Sequence, residues 1–143
     1  MTIYAKRRVR IVSFIFVMIL CFSLLAPIAL AEEGSLYIDF YVAGMTAGSN
    51  GKVTVSYHIT GTGTMDQIGA ISITIYENGT AVKTYSSSTT VGMMSSNTFI
   101  HASTITYSGT VGKSYSAYVT FQAGKNGGWY NRGMDTNSVT AIN

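Results

Sequence analysis

The chain has 143 residues, 47% of them hydrophobic, 12% aromatic and 10% charged, with fifteen glycines, one proline and one cysteine. That is room for one domain, or one domain and a targeting segment. It excludes a collagen-like repeat, a disulfide-stapled miniprotein and a charge-rich disordered chain. The formal net charge of +3 points toward nucleic acid only until it is located. Lys6, Arg7, Arg8 and Arg10 all precede an apolar run near the N-terminus.

That run extends from Ile11 to Leu25. Pro27 follows as a helix breaker, and Ala29-Leu30-Ala31 places small residues where a signal peptidase needs them. Basic segment, apolar core, breaker and A-x-A stand in the order of a secretory signal. Residues 1–31 are therefore expected to be a signal peptide cleaved before Glu32, with the membrane met only during export and the product secreted. The alternative is an uncleaved N-terminal membrane anchor, because residues 11–31 carry no charge and are long enough to span a bilayer. Pro27 and the acidic pair Glu32-Glu33 favour cleavage. Cys21 follows Leu20, not the small residue a lipobox requires, so no lipid attachment is expected. No sorting motif or apolar tail follows Ile142, so covalent wall anchoring is not expected either.

Removing thirty-one residues from 143 leaves 112 for a single domain, 32–143. Its bases are Lys52, Lys83, Lys113, Lys125 and Arg132, and its acids are Glu32, Glu33, Asp39, Asp66, Glu77 and Asp135, a net charge of −1. No basic patch remains to neutralise phosphates, so nucleic acid is excluded as a partner. No cysteine remains, so burial alone must hold the domain. At this size roughly two-thirds of the unfolded surface can be buried.

From Leu36 the pattern has period two, the signature of half-buried strands. In the first segment, 36–42, even positions are apolar, which assigns Tyr37, Asp39 and Tyr41 to the wet face. Val53, Val55, Tyr57 and Ile59 line the core side of the second strand, with His58 opposite. Gly61-Thr62-Gly63-Thr64 reads as a loop. Ile71, Ile73 and Ile75 lead to Asn78-Gly79, the strongest short hairpin signal, and a short partner spans 81–85. Ser86 to Thr90 reads as a loop or a weak edge. Over 98–107 the facing is ambiguous, since Phe99 and Ile105 share one parity and Ile100 has the other; a bulge could reconcile them. Tyr115, Ala117, Val119 and Phe121 share the inner face of a further strand. A long glycine-rich loop and a closing strand over 138–142 follow. About seven short strands with Gly or Asn turns and no helical spacing predict an all-β antiparallel sandwich.

The stretch Val111-Gly112-Lys113-Ser114-Tyr115-Ser116-Ala117-Tyr118-Val119 resembles the E–F corner of fibronectin type III and related immunoglobulin-like sandwiches. The resemblance implies that the Tyr115 hydroxyl ties back to the preceding backbone, with Val111 in the apolar position before the turn. Through K-V-T-V-S-Y-H-I-T and I-S-I-T-I-Y-E-N-G-T-A-V-K-T-Y the chain is also similar to small secreted Gram-positive (Firmicute-type) single-domain β-sandwich proteins of uncharacterised activity. It lacks the immunoglobulin cysteine pair and core tryptophan.

Catalytic chemistry finds little support. His58 lies on an outer face, His101 on the strand of ambiguous parity, and no G-x-S-x-G elbow is present. Gly61–Thr64 neither ends in Gly-Lys-Thr nor opens a helix, which removes a phosphate loop. No metal site is expected, since the histidines lack ligand spacing and Asn131, Asp135 and Asn137 offer calcium one carboxylate. The scattered acids make no glycosidase pair. The sequence thus predicts a non-enzymatic protein without cofactor.

The segment 124–133 concentrates Lys125, Trp129, Tyr130 and Arg132 among glycines. As the loop between the last two strands it is the expected binding site, with Trp129 and Tyr130 suited to a glycan, a cell-wall polymer or a protein surface. The competing position for Trp129 is inside the core. Tyr37, Asp39 and Tyr41 form a second expected surface, extended by His58 and Tyr76. The alternative function is a structural or self-associating cell-surface protein that assembles through sheet edges, since no proline and few charges blunt them.

Overall fold

The computed structural model describes residues 36–143; the expected signal peptide and its cleavage site lie outside them. Seven strands follow in order: β1 (Ile38–Ala47), β2 (Lys52–Glu77), β3 (Thr80–Ser86), β4 (Met94–Ser108), β5 (Ser114–Lys125), β6 (Gly128–Asp135) and β7 (Val139–Thr140). The described residues contain no helix, and the strands form one antiparallel hydrogen-bonded sheet curled into a half-barrel.

The second strand organises everything else. Its first half, Val53 to Thr60, pairs with β1 on one side and β4 on the other. Its second half pairs with β3 and β5, and β5 then pairs with β6 and β7. The segment Gly61–Thr64, expected as a loop, lies inside this continuous strand. The β4 register skips it, from Thr60 to Met65, so the chain changes partners there without leaving the extended conformation.

Alternation decides what is buried. Val53, Val55, Ile59, Ile68, Ile73, Ile75, Val119 and Phe121 are completely buried on the concave side. Each such side chain contributes about 1.5–3 kcal/mol relative to exposure. Phe121 joins the two halves across the core: its ring lies 5.4 Å from Tyr41 of β1 and 6.4 Å from Tyr57 of β2.

Bulges correct the expected facing in two places. A register shift between Ile38 and Phe40 inserts one extra residue at Asp39. Beyond it the parity reverses: Phe40 and Val42 face outward, while Tyr41, Ala43 and Met45 turn to the core. A second bulge, between Ala70 and Ser72, buries Ala70 and leaves Ile71 only partly covered. In β4 the odd positions face inward, so His101 and Ile105 are buried and Ile100 is outside; Phe99 shares the inward parity but lies beyond the core and is exposed.

Two Asn-Gly pairs close two-residue hairpins with both residues at positive φ, as type I′ turns require: Asn78-Gly79 at 46° and 82°, and Asn126-Gly127 at 52° and 79°. The second replaces the long loop expected after residue 123.

At the connection from β4 to β5, the Tyr115 hydroxyl accepts the Thr110 N–H at 2.7 Å and donates to the Glu77 carboxylate. Gly109 makes room for this ring, because a Cβ there would stand 2.6 Å from Tyr115 Cζ. Val111, assigned to the apolar position before the turn, is half exposed. By contrast the buried Tyr57 hydroxyl has no hydrogen-bond partner. Tyr115→Phe should therefore cost about 1–3 kcal/mol by orphaning the Thr110 N–H, whereas Tyr57→Phe should be nearly neutral. Urea denaturation of both variants measures the contrast.

Candidate functional site

The hairpin of β5 and β6 carries the residues picked out by the sequence, but it sorts them onto two faces. The register pairs Gly124 with Trp129, Ala123 with Tyr130, Gln122 with Asn131 and Phe121 with Arg132. Because cross-strand pairs share a face, Trp129 and Asn131 stand on the convex side with Gln122. Tyr130 and Arg132 stand on the concave side, with Ala123 and Phe121. Tyr130 packs against the core, and the Arg132 guanidinium lies 4.6 Å above its ring centre. Adjacent strand residues point in opposite directions, so Trp129 and Tyr130 cannot form one aromatic surface. Lys125 is half-buried at the end of β5. The adjoining turn is pinned by Asn126, whose N–H donates to the Asp66 carboxylate at 2.7 Å.

On the convex side, Trp129 is 52% exposed. Its six-membered ring lies over Gly124, where a Cβ would stand 2.2 Å from Cε3. Tyr118, 40% exposed, reaches across Gly133 with its hydroxyl end. Each glycine makes room for an aromatic side chain, and neither can carry a Cβ while that side chain stays in place. Between the rings, Gln122 Nε2 donates to Asn131 Oδ1 at 2.9 Å, and Thr120 faces the same way, paired with Gly133. From the position of Gly124 to that of Thr120 is about 13 Å along the strand. The outcome is a flat polar platform with an aromatic ring near each end.

Tyr118, Gln122, Gly124 and Gly133 did not stand out in the sequence. The signal that would have found them is Asn126-Gly127, the same dipeptide already used at residues 78–79. Taken as a two-residue turn, it fixes Gly124 opposite Trp129.

The other expected surface, Tyr37, Asp39 and Tyr41, is not one wet face. The bulge at Asp39 turns Tyr41 into the core, and Tyr37 reaches the hairpin, where a Cβ on Gly128 would meet its hydroxyl at 2.5 Å. The convex face of β1, β2 and β4 instead carries Phe40, Val42, His58, Ile100 and Ala102, with the His58 ring edge-on to Phe40 at 6.0 Å. Beside them is an open depression of about 560 Å³, lined by Gly44, Ser56, His58, Ala102 and Thr104 among others. The calcium candidates are dispersed: Asn131 bonds Gln122, and Asn137 bonds the backbone of Met45. Among the described residues no three His, Cys, Asp or Glu side chains cluster as metal ligands.

No family model matches the chain, and no curated protein or solved structure matches it either.

The core also holds a histidine. His101 is 6% exposed, its Nδ1 lies 2.7 Å from Ser95 Oγ, and its Nε2 has no partner. Its ring stacks at a tilt 5.8 Å from Tyr57. Burial depresses the imidazole below its ordinary value of 6.5, because a charged ring there would lose its hydration. The same burial pushes the Tyr57 phenol up. For His101 the unfolded chain takes up a proton at higher pH than the folded one, so stability is complete above about pH 6.5 and declines as pH falls below it. His101→Gln should flatten that decline between pH 7 and pH 5, read as urea midpoints across the range.

Proposed function

We propose that this chain is an exported, non-catalytic recognition module that binds a glycan on the convex platform of β5 and β6. The observation that carries the proposal is the Trp129 ring, half exposed and laid flat over Gly124. A ring in that position offers an apolar face to a planar ligand without further unfolding or side-chain rearrangement. A sugar ring has one apolar face and a rim of hydroxyls. Trp129 and Tyr118 suit the face, while Gln122, Asn131 and Thr120 suit the rim, since amides and hydroxyls both donate and accept. The platform extends beyond a single ring, which favours an oligosaccharide or cell-wall polymer over a monosaccharide. A protein surface is the second class of partner that Trp129 could serve.

We also read the fold as a fibronectin type III-like arrangement. Supporting this are the pairing sets β1-β2-β4 and β3-β2-β5-β6, which correspond to the two sheets of such a domain joined through one long strand. The Tyr115–Thr110 bond at the β4–β5 corner supports it as well. Export rests on the residue pattern of 1–31 alone.

Trp129 is the chain's only tryptophan, so its fluorescence reports the platform directly. Titration with soluble cell-wall oligosaccharides should quench or shift that emission. Trp129→Ala should weaken binding at least tenfold while leaving the urea midpoint nearly unchanged. Gly124→Ala should weaken binding similarly by lifting the ring. Unchanged affinity in both variants would place the ligand elsewhere.

A further inference from the structure

Among the described residues five strands have a single partner and so an open edge; β7 is only two residues long, and β1, β3 and β6 are guarded. At β1, the Asn137 side chain accepts the Met45 N–H and donates to the Met45 carbonyl, both at 2.9 Å, which occupies the groups a new strand would need. The β3 edge is seven residues long and carries Lys83. The β6 edge is eight residues long and carries Arg132 and Asp135. Short, charged or capped edges are how native sheets refuse extra strands.

Among the described residues the β4 edge is guarded at one point, Ile100, whose N–H and carbonyl meet the Thr98 hydroxyl. It spans fifteen residues, MSSNTFIHASTITYS, without a charged residue, proline or glycine, and it pairs only with β2. Antiparallel ladders alternate in direction. With Met45 bonded outward, the even residues of β2 serve β1 and its odd residues serve β4. On β4 that sends Tyr107, Ile105, Ser103 and His101 toward β2 and the even residues toward solvent. Ile100 confirms the direction, since its N–H and carbonyl both meet the Thr98 hydroxyl, at 3.4 and 3.3 Å. Ala102, Thr104 and Thr106 follow, all exposed, with β2 on their other side.

We propose that this edge pairs antiparallel with the same edge of a second copy, about a two-fold axis at Thr104. The alternation admits this register because Thr104 would exchange both bonds with its symmetry mate. Ala102 would do the same with Thr106 of the second copy, giving about six hydrogen bonds. An isologous pairing must be self-complementary. Here no charge meets its own image, and the convex face gains Thr–Thr and Ala–Thr cross-strand pairs, which are favourable contacts. The union makes β1-β2-β4 and its mate one continuous sheet and joins the apolar stripes of Phe40, Val42, Ile100 and Ala102 across the axis.

The test uses the full chain in mild detergent with Cys21→Ser as background. A hydrogen-bonded antiparallel pair holds its Cα atoms about 5.5 Å apart, within disulfide reach. Thr104→Cys should give an oxidised dimer, and Thr84→Cys on the β3 edge should not. Thr104→Lys, which places two like charges across the axis without touching the monomer's core, should weaken dimerisation at least tenfold in sedimentation equilibrium. Equal cross-linking at residues 84 and 104 would mean association through the apolar N-terminal run and would overturn the proposal. So would a monomer at all concentrations, or a Thr104→Lys dimer as tight as the parent.

Discussion

The structure depends on β2 being hydrogen-bonded on both sides while it exchanges its neighbours halfway along. A strand of 26 residues is several times the usual length, and a flat one could not bury both halves of its inward face against the same core. The register shift across residues 61–64 and the bulge near Ile71 let Val53, Val55 and Ile59 join one core with Val119 and Phe121, while Ile73 and Ile75 flank them within the sheet. Gly69 is required at this turn of the path. The Met93 carbonyl accepts the Ala70 N–H at 2.8 Å, and a Cβ on Gly69 would stand 2.2 Å from that oxygen. The close approach fixes the start of β4 against the middle of β2, and the β4 register follows from it.

Strands were legible in the sequence because alternation is a direct image of the pleat. Val53 to Ile59 and Tyr115 to Phe121 face as their parity requires. Bulges were not legible. At Asp39 the extra residue leaves the local pattern Leu36-Tyr37-Ile38-Asp39-Phe40-Tyr41-Val42 looking like an unbroken alternation, and tyrosine is equally plausible on either face. Only the partner strand reveals that Phe40 pairs with Thr60 while Ile38 pairs with Gly61. The continuity of β2 was hidden for a related reason. Glycines at 61 and 63 have the composition of a turn, yet pairing on the β1 side keeps this segment extended.

The candidate platform was legible in one residue and not in its geometry. Trp129 stood out as the single tryptophan, but Tyr130 was attached to it by adjacency, which in a strand guarantees separation. The glycine-rich composition of the segment, which is that of a loop, conceals this alternation. The glycines there are better explained by what covers them. Gly124 and Gly133 are small because the Trp129 ring and the hydroxyl end of Tyr118 cross them, whereas Gly127 serves the turn through its positive φ. A glycine opposite an aromatic residue across a hairpin is thus a different signal from a glycine in a connection, and only the register separates the two.

The scarcity of charge and the abundance of hydroxyls belong to one solution. The convex faces are held by cross-strand threonine pairs, Thr54 with Thr106 at 3.0 Å and Thr74 with Thr84 at 3.1 Å. These bind strands side by side without long side chains that would stand above the sheet. Lysine or glutamate at such positions would solvate the surface better but would roof it with mobile stems. Short hydroxyls keep the faces low, so the few large side chains on them, Trp129 and Tyr118 on one half and Phe40 and Ile100 on the other, stay accessible. A sheet built this way exposes its aromatic rings and its open β4 edge because nothing around them is tall or charged enough to cover either.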